Sequence, residues 1–246
     1  MRHCPKPIRR QRSRLAMSWL ATVLQLCPVI ASAQSEITGR AALQDSVGTL
    51  QSQARYAEAR ILAERFMAVV SQDSTALPYE ITDAQQILAT MTTVAGLSRE
   101  GQLAFAEADS LLWLVGDLYG QAHYGEAVAL TERQLEIYTR LLGPDHPKVA
   151  TCWNNLALLY STQGQYKDAE PLYRRALAIE EVVLGPHHPD VATDMNNLAL
   201  LYADQGRYAL GEPLHRRAMF IRETALGPDH PDVATTLNGL ALAYFN

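Results

Sequence analysis

Residues 143–184 are followed without a gap by residues 185–226, a second version of the same 42 positions in which 26 are identical. Residues 227–244 then restart the text. Self-similarity at a fixed period of about 20–50 residues constrains a chain more than its composition does. One such unit cannot bury its own apolar face, so units must stack, each touching chiefly its neighbours.

Within a unit the apolar residues form two stripes of helical period. Trp153, Leu156, Ala157 and Tyr160 stand at i, i+3, i+4 and i+7 of one helix face. Gln163-Gly164-Gln165 interrupts the stripe, and Gly164 can adopt the left-handed turn that ends a helix. Tyr166, Ala169, Leu172, Tyr173, Ala176, Leu177 and Val183 form the second stripe. Its alanines allow close helix approach while the aromatics fill the wider gaps. The copy repeats the pattern with Met195, Leu198, Ala199 and Tyr202, then Tyr208, Leu214, Ala218 and Ile221.

Between units runs Leu-Gly-Pro-Asp/His-His-Pro, at 142–147, 184–189 and 226–231. Its glycine closes one helix, its prolines forbid a continuous one, and the second proline suits the first turn of the next. Asp145 and Asp229 are placed to cap that helix start, with Lys148, Asp190 and Asp232 in its first turn.

Asn154-Asn155-Leu156-Ala157-Leu158-Leu159-Tyr160, then Gln163-Gly164-Gln165-Tyr166-Lys167-Asp168-Ala169-Glu170, then Leu172-Tyr173-Arg174-Arg175-Ala176-Leu177 resembles a tetratricopeptide repeat. The 42-residue period and the joint are similar to the kinesin-light-chain-type repeat, which is also widespread in bacterial proteins. The resemblance is strong over 143–246 and implies an all-α fold, a right-handed superhelical solenoid of antiparallel helix pairs. The second unit departs from the pattern at Ala209-Leu210, where charge is usual, and at Gly211, where alanine is usual. Gly211 is expected to loosen its helix by about 1 kcal/mol relative to alanine.

Upstream, residues 112–142 read as a degenerate unit, with Tyr124, Ala127, Leu130 and Leu135 in the register of Tyr166, Ala169, Leu172 and Leu177. Tyr56-Ala57-Glu58-Ala59 with Leu62, Ala63 and Phe66 looks like the second helix of an earlier unit. A polar loop is expected at 71–78, and helices at 81–97 and 102–112. The expected organisation is a leader at 1–33, degenerate helical repeats at 34–111, and units at 112–142, 143–184, 185–226 and, in part, 227–246.

The leader rests on a basic start (Arg2, Lys6, Arg9, Arg10, Arg12, Arg14) without an acidic residue, a mostly apolar stretch at 15–30, and Ala31-Ser32-Ala33, which a signal peptidase accepts. The apolar stretch is shorter than the ~20 residues that span a bilayer comfortably, so cleavage is expected in place of a retained anchor or an organellar transit peptide. Arg9-Arg10 continues poorly as a twin-arginine signal, and Leu26 is too large to precede a lipidated Cys27. The mature protein is expected to be exported, to a bacterial periplasm or exterior, with no membrane span.

Cleavage would remove six basic and no acidic residues, leaving 15 against 26 and a formal charge of −11. Such a surface repels phosphate backbones, so a nucleic-acid partner is not expected. Cys4 and Cys27 would leave with the leader, and Cys152 alone can build neither a disulfide nor a thiolate cluster. The 48% apolar content suits a packed chain.

No Gly-x-Ser-x-Gly, His-Glu-x-x-His, phosphate-binding loop or dinucleotide fingerprint occurs, so neither a catalytic residue nor a cofactor is expected. His146, His187, His188 and His230 lie beside Asp145, Asp190 and Asp229 and locally look like metal ligands. Their slot recurs because it is the joint. Equivalent slots in a stack lie about 10 Å apart, whereas ligands converge within about 2–2.6 Å of one ion. A structural joint is expected and no metal.

The functional candidate is a ladder. Asn154, Asn196 and Asn238 recur at the period, off the core stripe. Thr151, Asn154, Leu158 and Ser161 share one helix face, and Thr193, Asn196, Leu200 and Asp204 follow in the next unit. The family resemblance makes this face the inner wall of the superhelix, a groove for extended peptides. Amides suit it, offering donor and acceptor to any peptide group. Asn155 and Asn197 are expected to bond only within the repeat, since Gly239 replaces them in the third copy. Arg174, Arg175, Arg216 and Arg217 are expected to be solvated or paired with Glu170, Glu212 and their neighbours. The expected protein is a non-enzymatic scaffold for a protein or peptide partner. The alternatives are a regulatory segment of a larger enzyme, or a structural protein self-associating through an open end of the stack.

Overall fold

A computed structural model describes residues 28–245, with side chains over 39–241. The expected leader therefore lies mostly outside the described residues. Its last positions, 28–33, open the first helix.

The chain is all-α, a solenoid of helix pairs. Among the described residues there are ten helices and no strand: α1 Pro28–Ser52, α2 Tyr56–Gln72, α3 Pro78–Ala95, α4 Arg99–Gly120, α5 Tyr124–Leu142, α6 Pro147–Thr162, α7 Tyr166–Val183, α8 Pro189–Asp204, α9 Tyr208–Leu226 and α10 Pro231–Phe245. The pairs α4/α5, α6/α7 and α8/α9 are the units, and α10 packs on α9 as the next first helix. None of the described helices is long and apolar enough to cross a membrane.

The punctuation works as its chemistry dictates. Gly143, Gly185 and Gly227 at the joints take φ of 95°, 92° and 89°, and Gly164 and Gly206 in the turns within units take 75° and 69°. A side chain is strained there, which is why glycine recurs. Ala122 holds the equivalent turn of the degenerate unit at φ 60°, and Ala54 holds the α1–α2 turn at 55°.

The core follows the two stripes. Ala157, Ala169, Tyr173, Leu198, Leu201 and Tyr202 form one buried cluster across a unit boundary. Val191, Ala192, Met195, Ala218 and Ile221 form the next. Gly211 lets α9 pass close to α8. A Cβ built on Gly211 would lie 2.9 Å from the Ala199 carbonyl oxygen, closer than such contacts are tolerated.

The upstream region departs from the expected plan in two ways. Helix α4 runs unbroken through residue 112. Its start is set by Ser98, whose hydroxyl accepts the Gly101 N–H at 3.2 Å, so this helix pair begins at Arg99. The second departure is α3. The Gln-Ala-Arg-Tyr turn at 53–56 precedes its counterpart Gln-Ala-His-Tyr at 121–124 by 68 residues where the period asks for 42. The surplus is the 26-residue span 73–98, which is α3 with its two connections. Helix α3 pairs with α2 through Phe66, Val70 and Ala84. It does not continue the stack but runs along the row of joints, reaching residues 146 and 188.

Candidate binding face

The first helices α4, α6 and α8 each leave one face partly open. Leu158 is 39% exposed and Leu200 37%, as side chains offered to a partner must be. Thr151, Asp204 and Asn238 are exposed, and Ser161 is half-buried. The threonine hydroxyls are committed within the protein. Thr151 donates to the Pro147 carbonyl at 3.1 Å; Thr193 donates to the Pro189 carbonyl at 3.3 Å and accepts from Arg222 at 3.0 Å.

The amide ladder has rungs of different kinds. Asn154 is half-buried, and its Oδ1 accepts from Asn197 Nδ2 at 3.2 Å. Asn197 therefore bonds across the unit boundary, not within its repeat as the sequence led us to expect. Asn196 is buried, with its Oδ1 free of any partner within the described structure. It therefore lies beneath the open face.

A concavity that the ladder did not reveal opens between α4 and α6. Leu112, Val115, Gly116 and Tyr119 of one helix and Asn155, Leu158 and Leu159 of the next enclose about 190 Å³. Gly116 stands in the register of Leu158, and a Cβ there would meet nothing within 4 Å. The missing side chain makes the hollow, and Trp113, next to Leu112 in the chain, is 76% exposed. A glycine at a leucine register was the signal available in the sequence.

At the joints the histidines, not Asp145 or Asp229, cap the first helices. Nδ1 of His146, His188 and His230 accepts the backbone N–H of Lys148, Asp190 and Asp232 at 3.1, 3.2 and 3.2 Å. Proline at the next position fixes the chain so that the residue before it, not the one before that, is the cap. With Nδ1 accepting, the proton sits on Nε2. His146 Nε2 lies 3.1 Å from Thr90 Oγ1 and His188 Nε2 lies 3.1 Å from Asp83 Oδ1, both on α3. Burial, then Lys148, push His146 down to about 4. His188 is also desolvated, but the hydrogen bond and charge of Asp83, with Asp190 and Glu180, hold it above its ordinary value.

Behind each joint lies a buried slot shared by the second helix of one unit and the first helix of the next. Tyr138 and Cys152 fill it first, Glu180 and Asp194 second, and Arg222 and Thr236 third. Tyr138 bonds Asp109, and the Cys152 thiol is pushed up to about 12 by burial. Arg222 donates to Thr236 Oγ1 at 2.6 Å and to the Asp232 carbonyl at 2.9 Å. Burial raises the pKa of both Glu180 and Asp194, with the negative charge of Asp194 and Asp190 added for Glu180 and that of Asp190 for Asp194. The two carboxyls share a hydrogen bond.

On the second helices, Arg174 pairs with Glu170 at 3.1 Å and Arg216 with Glu212 at 2.9 Å, and Arg217 reaches Glu181 at 2.7 Å. Arg175 lies over the Trp153 ring at 4.5 Å. The three ion pairs lie at the surface, each contributing about 0.2–1 kcal/mol.

Residues 106–181, 163–209 and 192–245 each match the sequence model of the tetratricopeptide repeat family. No curated protein sequence matches the chain. Among solved structures it is similar to the crystal structure of BtubC (BKLC) from P. vanneervenii, at 21% identity over 92% of this chain and 77% of that one, with a TM-score of 0.48. It is also similar to a Podosopora anserina protein assigned as a kinesin light chain, with nearly identical TPR-like repeats. That match has 21% identity over 83% of this chain and 84% of that one, with a TM-score of 0.44.

Proposed function

We propose a function from one premise: this chain belongs to the tetratricopeptide repeat family. The protein is a non-enzymatic scaffold that holds a protein or peptide partner along the face shared by α4, α6 and α8. The observation that carries this is the hollow lined by Leu112, Val115, Gly116, Tyr119, Leu158 and Leu159. It is apolar, open, and edged by the Asn155 amide, the combination that recognises an extended peptide by one apolar anchor and its backbone. Leu200, one unit further on, supplies a second apolar contact. The chemistry asks for a partner segment with a bulky apolar residue at the hollow. The basic leader supports export of the mature chain, and sequencing the N-terminus of protein recovered from the cell envelope tests that.

Peptides selected from a random library on the full chain test the main reading. Gly116→Trp should fill the hollow and Leu158→Glu should charge its rim, each weakening the selected peptides at least tenfold with the melting temperature kept within about 2 °C. Undiminished binding to both variants, or no enrichment at all, overturns it.

A further inference from the structure

We propose that the joint between α7 and α8 is a binding site for a hard divalent cation of the Ca²⁺ type, held between Asp83 of α3 and Asp190 of α8, with Glu180 and Asp194 behind them. Asp83, His188 and Asp190 present ligand atoms within 4.8 Å of one another. Two oxygens at that separation are bridged by one ion at about 2.3–2.6 Å from each. His188 is not itself a ligand. Its Nδ1 holds the Asp190 N–H and its Nε2 proton points at Asp83, so it orients the carboxylate instead. The ligand set is then all oxygen, which suits a hard cation. The side chains of Asp83 and Asp190 are 43% and 63% exposed, so the ion has an entry path and room for waters. Such irregular surroundings suit Ca²⁺ better than the octahedral demands of Mg²⁺.

The second observation is buried. Glu180 and Asp194 are 6% and 2% exposed, and each leaves one carboxyl oxygen without a partner. Asp194 stands one turn beyond Asp190 on the same face of α8, and a side-chain hydrogen bond joins it to Glu180. Among the described residues, no lysine or arginine is shown paired with Asp83, Glu180, Asp190 or Asp194. Four carboxyl groups against the single imidazole of His188 leave the cluster short of positive charge, which is costly for its buried members.

The flanking units show what is missing. At the register of Asp190 the preceding unit has Lys148, whose Nζ sits 2.9 Å from Asp109 and over the Phe105 and Tyr138 rings. At the register of Glu180 the following unit has Arg222, anchored on Thr236 and the Asp232 carbonyl. In both neighbours the chain puts its own cation into the slot. The middle slot replaces those cations with carboxylates and receives Asp83 from α3 in addition. An ion from solution completes it, and because Asp83 belongs to α3, that ion fastens α3 to the stack.

Titration calorimetry and thermal melts of the chelator-treated full chain with CaCl₂ at pH 8 test this. One ion should bind per chain with a rise in melting temperature, and Mg²⁺ should bind more weakly. Asp190→Asn and Asp83→Asn should each weaken Ca²⁺ at least tenfold, whereas Asp232→Asn at the next joint should bind as the wild type does. Asp190→Lys, which copies Lys148, should melt higher than the ion-free wild type and lose its response to Ca²⁺. Should Asp190→Asn fail to fold, Asp83→Asn, on the helix outside the stack, carries the same comparison. No calcium binding, or binding by the Asp83 and Asp190 variants as tight as the wild type's, overturns the site. So does a melting temperature that rises on acidification from pH 8 to 6 without any response to Ca²⁺, since protons alone would then satisfy Glu180 and Asp194.

Discussion

His188 Nε2 lies 3.1 Å from Asp83 Oδ1, across 105 positions of the chain. The same relation recurs one unit earlier, where His146 Nε2 lies 3.1 Å from Thr90 Oγ1. Asp83 and Thr90 are seven residues apart on α3, about 10.5 Å along a helix, which matches the ~10 Å spacing of stacked helices. An inserted helix thus reads the period of the array it lies upon, and each contact uses the ring nitrogen that the helix cap leaves over.

Thr90→Val should therefore loosen α3 without disturbing the units. The hydroxyl lost is buried and satisfies His146, so the cost is on the order of 1 kcal/mol. Amide exchange within α3 should quicken about fivefold, with α6 to α9 unchanged. Equal acceleration everywhere, or none, would show that α3 is held by other means.

The caps also set a pH response. His146 can accept the Lys148 N–H only while neutral, and its folded value of about 4 lies below the ordinary 6.5. The unfolded chain takes up the proton first, so this contribution is complete above the unfolded value and fades as pH falls toward 4. The gap is worth on the order of 3 kcal/mol. His188 has the opposite sign: its value is raised, so its contribution is full at low pH and lost as pH rises through the folded value. His146→Asn keeps a good cap that does not titrate. Melting curves between pH 7.5 and 4 should show the wild type losing more stability than this variant on acidification; parallel curves would refute the assignment.

Glycine in mid-helix ordinarily costs about 1 kcal/mol relative to alanine, and Gly211→Ala would be the obvious stabilising change. The close Ala199 carbonyl reverses it. That atom is backbone and cannot swing aside, and overpacking costs roughly 1–3 kcal/mol. A net loss on the order of 1 kcal/mol is expected in urea denaturation. A gain would mean that α8 and α9 separate freely.

Helix pairs, joints and the openness of Leu158 and Leu200 were legible because each rests on local chemistry repeated at one period. The helical pattern of α3 was legible at 81–97, but its place as an insertion between units was hidden by a choice of marker. Following the core stripe upstream blurred at residue 112, whereas the Gln-Ala-x-Tyr turns at 53–56 and 121–124 carry the 26-residue surplus openly. The histidine caps were masked by Asp145 and Asp229, better caps by type but one residue too early for the proline that follows the histidine. Glu180 and Asp194 gave no joint signal in the sequence, because residues 14 apart meet only when the chain turns through the joint. Asn196 and Asn154 share a register but not a burial, since burial depends on the neighbouring unit as well as on the helix face.

The last prediction concerns the third boundary, where bulk has been exchanged between positions. His215 occupies the register of Tyr173 and is fully buried, and Gly239 occupies that of Asn197. A Cβ on Gly239 would fall 2.5 Å from His215 Cε1, so the ring fills the space that a side chain takes at the previous boundary. Gly239→Ala gains about 1 kcal/mol of helix propensity but drives a methyl into a ring with nowhere to go, at roughly 1–3 kcal/mol. The net effect should be a loss on the order of 1 kcal/mol. Removing the ring first inverts the sign: in a His215→Ala background the same change partly fills a cavity and should stabilise. Urea denaturation of the two single variants and the double should thus give a favourable coupling of at least about 1 kcal/mol. Additive effects would mean that His215 and Gly239 do not share that space.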